Sequence, residues 1–357
     1  MSDVLAPGAV IGIIGGGQLG RMTALAAAPL GYRCHIYTPE KDSPASQVAE
    51  KTTVAAYEDE KALTEFAASV DVITYEFENI PVDTVQRLSE LVPVRPSQSV
   101  LAVSQHRVAE KDFARDSGAQ TAPYRHVTSL DQLQEAVADI GRPAVLKTCR
   151  FGYDGKGQVK IMDETDLAAA WASLKSDDAV LEGFVSFDKE ISVIVARSLD
   201  GSCTAFPVAQ NHHVDHILST STVPAAISEA TEQTARTTAV ALAERLDLVG
   251  LLAVEMFVTG DGGVLVNEVA PRPHNSGHWT QDGCVTSQFE QFVRAVTGLP
   301  LGPVDILFPT VMQNLIGSDV DQWKALAAEP HAKLHLYGKA EARPGRKMGH
   351  VNRISVS

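Results

Sequence analysis

Val145-Leu146-Lys147-Thr148-Cys149-Arg150-Phe151-Gly152-Tyr153-Asp154-Gly155-Lys156-Gly157-Gln158 sets a lysine at the end of an apolar run and follows it with a glycine-rich loop carrying a second lysine. The combination suits a polyphosphate, because ammonium groups neutralise its oxygens while glycines let the backbone close over them. A β-hairpin turn with solvated lysines is the plainer alternative. The stretch does not fit G-x-x-x-x-G-K-[ST], so it predicts a nucleotide binder of another kind. Around it, Ala144 to Thr148 reads as a strand, Gln158 to Met162 as a second, Asp166 to Ser176 as a helix and Ala179 to Glu182 as a third strand. Together they predict a small α+β unit, about residues 144–185, with the loop at its mouth.

Downstream, Glu182-Gly183-Phe184-Val185 followed by Glu190 reads either as an ordinary loop or as a hinge whose backbone meets a base and whose second carboxylate holds ribose hydroxyls. A helix from Glu229 to Leu246 precedes strands Leu251 to Thr259 and Val264 to Val269, joined by the turn Gly260-Asp261-Gly262-Gly263 as a hairpin. Glu255 on one strand and Asn267-Glu268 on the next offer hard oxygen ligands, suited to magnesium bridging phosphates; buried ion-paired carboxylates are the alternative. Then comes a polar loop, Val269 to Thr280, stiffened by Pro271 and Pro273. In it Arg272 can grip a planar oxyanion through two parallel hydrogen bonds, and His274 can donate to or accept from a reacting group.

Upstream, short strands at Val10 to Ile14, Arg33 to Tyr37 and Asp71 to Thr74 alternate with helix-period segments, which predicts a parallel, doubly wound sheet. Gly15-Gly16-Gly17-Gln18-Leu19-Gly20 follows the first strand and opens a helix, where backbone N–H groups cradle phosphate. A monophosphate site, a dinucleotide site and a purely structural turn all remain open there. The dinucleotide reading wants an acidic residue at the end of the second strand, and Glu40 arrives late. A helix from Val108 to Ser117, closed by Gly118, marks a passage between domains.

Composition narrows the classes. With 357 residues, 45% hydrophobic and 21% charged, the chain fits two or three soluble domains. No apolar stretch approaches the roughly 18 residues of a membrane span, and the amino terminus lacks the basic region of a signal peptide, so no membrane role is expected. Cys34, Cys149, Cys203 and Cys284 show no C-x-x-C spacing, which argues against a zinc site or a disulfide framework and for a reducing, cytoplasmic setting. A net charge of −14 disfavours nucleic acid. Against it, residues 331–357 carry six bases and one acid, which reads as a solubilising tail or as a site for a small phosphorylated ligand.

Lys147, the Gly152 to Gln158 loop, the Glu182 to Val185 segment and the Glu255 and Asn267-Glu268 pair have the order and spacing of the ATP-grasp superfamily, which the chain resembles from about Val108 to Val296. Three further stretches, Tyr75-Glu76-Phe77-Glu78-Asn79-Ile80, Ala270 to Thr280 and Arg343 to His350, resemble one branch of it, the 5-(carboxyamino)imidazole ribonucleotide synthases of purine biosynthesis. The resemblance implies an α/β ATP-grasp fold in three parts: a doubly wound domain at 1–120 with the ribonucleotide phosphate site, an ATP-grasp region at 121–299, and a small domain at 300–357 closing on the active site. It implies a ligase that carboxylates 5-aminoimidazole ribonucleotide with bicarbonate through carboxyphosphate, using ATP and Mg2+, as a homodimer.

On the same resemblance ATP would be held by Arg107, Lys147, Gly152, Tyr153, Asp154, Gly155, Lys156, Gly157, Gln158, Glu182, Gly183, Phe184, Val185, Glu190, His213, Asn267 and Glu268. Glu255 and Glu268 would bind magnesium. Arg272, His274 and Lys347 would surround carboxyphosphate, while Gly17, Gln18, Leu19, Glu76, Tyr153, Arg272, Lys339, Arg346 and Lys347 would hold the ribonucleotide. His212 adjoins His213, and Glu78 shares a strand face with Glu76, so either of each pair is a candidate. An acidic residue is expected where His106 stands, so the chain departs from the pattern there. A formate-dependent ribonucleotide transformylase shares the nucleotide residues but gives no reason for the Arg346-Lys347-Met348-Gly349-His350 ending. A biotin-dependent carboxylase would be longer. A regulatory module without turnover would lack a metal ligand or phosphate lysine, and a dinucleotide-binding protein would leave most of the chain unexplained.

Overall fold

The computed structural model describes residues 4–152 and 155–356. Strands β1 (Val10–Ile14), β2 (Arg33–Thr38), β3 (Lys51–Val54) and β4 (Val72–Tyr75) form a parallel sheet in the order β3-β2-β1-β4. Side chains alternate across β1, so Ile11 and Ile13 pack with Ala24, Ala27 and Ile36 while Ile14 joins Tyr37, Phe66 and Tyr75 on the other face. β3, with the sequence Lys-Thr-Thr-Val and no buried residue, was not expected; it pairs only with β2, at the sheet edge. The helix Gln18–Ala27 starts straight after β1 because Gly15 takes φ +105 and Gly17 leaves room for Glu76, whose Oε1 would lie 2.5 Å from a Cβ at that position.

A second layer holds β5 (Tyr124–Val127), β6 (Ala144–Thr148), β7 (Gln158–Ile161) and β8 (Ala179–Gly183), antiparallel in the order β5-β8-β6-β7. Its helices, Leu130–Ile140 and Leu167–Leu174, are capped by Ser129 and Asp166 and bury Leu133, Ala136 and Leu174 against Leu146, Ile161 and Leu181. Fully burying such a side chain contributes about 1.5–3 kcal/mol. The loop between β6 and β7 is therefore carried by a small core of its own.

The largest sheet is antiparallel. It holds β9 (Lys189–Arg197), β10 (Cys203–Ala205), β11 (Ala209–Val214), β12 (Ile217–Val223), β13 (Gly250–Val258), β14 (Val264–Ala270), β15 (Thr310–Ile316), β16 (Ala332–Leu336) and β17 (Lys347–Ile354). The path runs β14-β13-β9-β11-β12-β15-β17-β16, with β10 on β9. Helix Glu229–Arg245 covers one face through Ala235, Ala239 and Leu242, and Phe292 and Val296 of helix Gln288–Thr297 cover the other. Because β12 pairs with β15, the carboxy-terminal strands extend this sheet, and Lys347 opens β17. No described helix is long and apolar enough to cross a membrane.

Candidate active site

Two cavities meet at the junction of the three sheets. The first, about 400 Å³, is lined by Gln18, Leu19, Glu76, Glu78 and Arg272 among others; the second, about 610 Å³, by Lys147, Gly155, Lys156, Gln158, Glu190, His213, Glu255 and Asn267. Arg107, Glu268, His274, Asn275 and Lys347 line both. These five form the common wall of the two cavities.

In the second cavity the register of the β13–β14 hairpin sets Glu255 opposite Glu268. Burial, and then the Glu268 carboxylate, push Glu255 above the usual carboxylate range. Asn267 Oδ1 beside them is buried with no hydrogen-bond partner among the described residues. Glu190 on β9 ion-pairs with His213 on β11, and against burial that contact raises the histidine. The apolar side is built by Val145, Phe184, Leu218 and the stacked rings of Phe187 and Phe257, whose centroids lie 4.5 Å apart. Neither Phe187 nor Phe257 was expected at the site. Both lie in stretches that read as ordinary loop and strand.

Lys147 donates to Glu182 Oε2 at 2.9 Å, and Lys111 reaches Glu182 Oε1 at 3.2 Å. Glu182 is only 4% exposed, and against the burial penalty the two ammonium groups hold its carboxyl down to about 2. Its side chain therefore positions Lys147 instead of lining the cavity. The N–H groups of Gly183 and Phe184 donate to the carbonyls of Pro123 and Pro143, at 2.8 and 3.1 Å. Arg107 pairs with Glu268 at 3.2 Å and donates to the Gly152 carbonyl at 3.3 Å. Gly155 and Gly157 adopt φ +75 and +69, and the Gly157 carbonyl accepts from Thr148 N–H at 2.8 Å. Tyr153 and Asp154, expected at nucleotide and ribonucleotide, lie outside the described residues.

In the first cavity Glu76 is buried, and its carboxylate accepts the backbone N–H of Gly17 and, at 2.7 Å, that of Gly20. Two donors of the glycine-rich turn, expected to face a phosphate, thus hold a side chain of the chain itself. Glu78 accepts two hydrogen bonds from Arg272, from Nε and, at 2.8 Å, from Nη2. Against burial, that guanidinium holds Glu78 down to about 2. Lys339 donates to the Lys347 carbonyl at 2.7 Å, and burial, then Arg346, lower it to about 8 while Glu76 opposes them. Lys339, Arg346 and Glu76 are thereby close enough to couple, although Lys339, Arg346 and Gly17 are not among the residues lining either cavity.

The loop after β14 is fixed by its neighbours. Gln288 accepts from His274 N–H at 2.9 Å and donates to the His274 carbonyl at 2.7 Å, while Asn275 donates to Asn314 on β15 at 2.8 Å. Burial, then Arg272 and Lys347, lower His274 to about 3, so its imidazole is neutral. Glu110, also unexpected, lines the first cavity; it accepts from Val269 N–H, and burial, then Glu268, push it up to about 8. The sequence signal for Glu110 and Lys111 was their place on a helix already read as a boundary, one turn beyond Arg107.

Residues 9–105 match the ribonucleotide synthetase preATP-grasp domain, 112–289 the ATP-grasp domain and 310–357 the phosphoribosylaminoimidazole carboxylase C-terminal domain. An N5-carboxyaminoimidazole ribonucleotide synthase of Brucella melitensis is 53% identical over 352 residues, 98% of this chain and 97% of its own. Among solved structures, an N5-carboxyaminoimidazole ribonucleotide synthetase in complex with ADP matches with TM-score 0.97 at 48% identity, over 99% of this chain and 94% of its own. The N5-carboxyaminoimidazole synthase of Aspergillus clavatus, solved with ADP and 5-aminoimidazole ribonucleotide, matches with TM-score 0.91 at 28% identity, over 98% and 94%.

Proposed function

The chain belongs to the N5-carboxyaminoimidazole ribonucleotide synthases, ATP-grasp ligases of purine biosynthesis, and from that premise we propose how its residues divide the reaction. The second cavity takes ATP, the first takes 5-aminoimidazole ribonucleotide, and bicarbonate reacts at their common wall. The observation that carries this reading is the wall itself, where Arg107, Glu268, His274 and Lys347 face both cavities.

Lys147 and the Gly152–Gln158 loop hold the phosphates, with Lys147 aimed by its pairing to Glu182. The base lies against Phe184, Phe187 and Phe257, with Val185 at the hinge, and the ribose meets Glu190 and His213. Glu255, Glu268 and Asn267 fit magnesium: the donors are all oxygens, two carboxylates face each other across the hairpin, and the buried Asn267 Oδ1 has no hydrogen-bond partner among the described residues. Magnesium, when bound, would neutralise phosphate oxygens that gain charge as the γ-phosphoryl group moves.

Bicarbonate oxygen attacks the γ-phosphorus and ADP leaves, forming carboxyphosphate. Arg272 and Lys347 stabilise its oxygens, and the neutral His274 offers a hydrogen bond without adding charge. The ribonucleotide amine then attacks the carboxyl carbon, and phosphate departs, taking up the amine proton. Gln18, Leu19 and Glu76 orient the ribonucleotide, with Lys339 and Arg346 near its phosphate.

We divide the chain at about residues 120 and 299, assign it to the cytoplasm, and propose that it works as a homodimer. The test is phosphate release from MgATP and bicarbonate, with and without 5-aminoimidazole ribonucleotide, followed by identification of the carboxylated product. Stimulation by the ribonucleotide supports the assignment. Hydrolysis indifferent to it removes the first cavity from the reaction.

A further inference from the structure

Outside the two chemical roles above, four side chains from four elements converge behind Arg107. His106 precedes helix Arg107–Asp116, His126 lies on β5, Cys149 follows β6 and Asp178 precedes β8. One candidate ligand atom from each, imidazole nitrogen, thiol sulfur or carboxylate oxygen, lies within 4.8 Å of every other. His106 Nε2 is 3.0 Å from Asp178 Oδ2, and His126 Nε2 is 2.8 Å from Asp178 Oδ1.

Main-chain bonds hold the cluster in shape. Cys149 N–H donates to the Asp178 carbonyl, and Arg107 N–H donates to the Cys149 carbonyl, both at 3.0 Å. β8 pairs with β5 on one side and β6 on the other, which fixes His126 and Cys149 relative to Asp178. Cys149 is buried and His126 is exposed, so one side of the cluster is shielded and the other gives an ion a way in.

We propose that His106, His126, Cys149 and Asp178 form a binding site for one zinc-class transition-metal ion. Two imidazoles, one thiolate and one carboxylate make a mixed nitrogen, sulfur and oxygen set that zinc accepts and that magnesium and calcium do not favour. Donors at about 2.0–2.3 Å from a tetrahedral zinc lie roughly 3.3–3.8 Å apart, so pairs as wide as 4.8 Å must close by about 1.0–1.5 Å as the ion binds. Thiolate and carboxylate together balance the ion's charge. Loading releases the thiol proton to solvent. In both His106 and His126 the ring proton that Nε2 shares with Asp178 also moves to Nδ1, which in His106 gives up the 3.4 Å contact that Nδ1 now accepts from Ala109 N–H.

The lack of C-x-x-C spacing speaks against this site only if ligands must share a turn; here the fold supplies the proximity. A bound ion would tie β5, β6 and β8 to the start of helix Arg107–Asp116 and so steady Arg107 in the common wall. The site stands whether or not the assignment of substrates to the two cavities holds.

The test uses the full chain, stripped of metal and kept in excess Mg2+, titrated with Zn2+ against a chromophoric chelator. One zinc per chain is expected, with binding weakened at least about tenfold in His126→Ala. Cobalt substitution should give a thiolate-to-metal absorption band that Cys149→Ser abolishes. Because His126 is exposed, its variant keeps the test readable whatever Cys149→Ser does to folding. No zinc in the unaltered chain, or equal binding in the His126→Ala chain, would overturn the site and leave a hydrogen-bonded cluster around Asp178.

Discussion

Arg272 and Glu78 meet through two hydrogen bonds although 194 positions separate them, and Lys111 joins Lys147 on the single carboxylate of Glu182. Such pairs hold cations in place before any ligand arrives, and pre-set charge stabilises a transition state without further reorganisation. Lys347 is assigned to the carboxyphosphate oxygens at the common wall, so Lys347→Ala is expected to lower ribonucleotide-stimulated turnover about a hundredfold while ADP affinity stays within about threefold. Steady-state assays beside calorimetric ADP titration separate the two effects; unchanged turnover removes Lys347 from the reaction. Glu268→Gln keeps an oxygen but loses charge opposite Glu255, so the magnesium concentration for half-maximal rate should rise about tenfold or more. A wild-type magnesium response in that variant contradicts the metal assignment.

At the scale of elements, the β6–β7 loop combines two requirements that the sequence displays openly, lysines for charge and glycines for backbone. A Cβ on Gly157 would lie 2.6 Å from Thr148 Oγ1 at a φ of +69, so Gly157→Ala must distort the loop. The expected result is a KM for ATP raised about tenfold with little change in melting temperature, because the strands on either side keep their own core. A melting loss with ATP affinity intact would show that the glycine serves folding instead. The loop was legible because its residue types are local, and Glu255 and Glu268 because a hairpin fixes which residues face each other. The occupation of the Gly17–Gly20 donors by Glu76 was not, since it depends on a strand more than fifty residues away. β3 escaped for a different reason: an edge strand without buried residues leaves no hydrophobic period to read. Nor could local pattern reveal that β15 would pair with β12, which puts Lys333, Lys347 and Arg353 on the largest sheet and Lys339, Arg343 and Arg346 in the connection between its last two strands.

For the whole molecule, the gathering of buried charge at the junction of three sheets ties stability to pH in opposite senses. Glu78 and Glu182 are held at about 2, below the ordinary 4.5, so their contribution is present above about pH 4.5 and is lost as pH falls toward 2. Glu110 is raised from 4.5 to about 8, so the folded chain binds the extra proton; that contribution is full below about pH 4.5 and disappears as pH rises toward 8. Rising negative charge on a chain already at −14 near neutrality also weakens the fold with pH, but Glu110→Gln leaves that background almost unchanged. Between pH 5 and 8 the melting temperature of the ligand-free wild type should therefore fall by a few degrees more than that of Glu110→Gln, on the order of 1–2 °C for each kcal/mol. Differential scanning calorimetry across that range checks it. Parallel curves for the two proteins would mean that Lys111 and Arg107 already neutralise Glu110 in the folded state, and that its carboxyl is ionised beside Glu268 throughout.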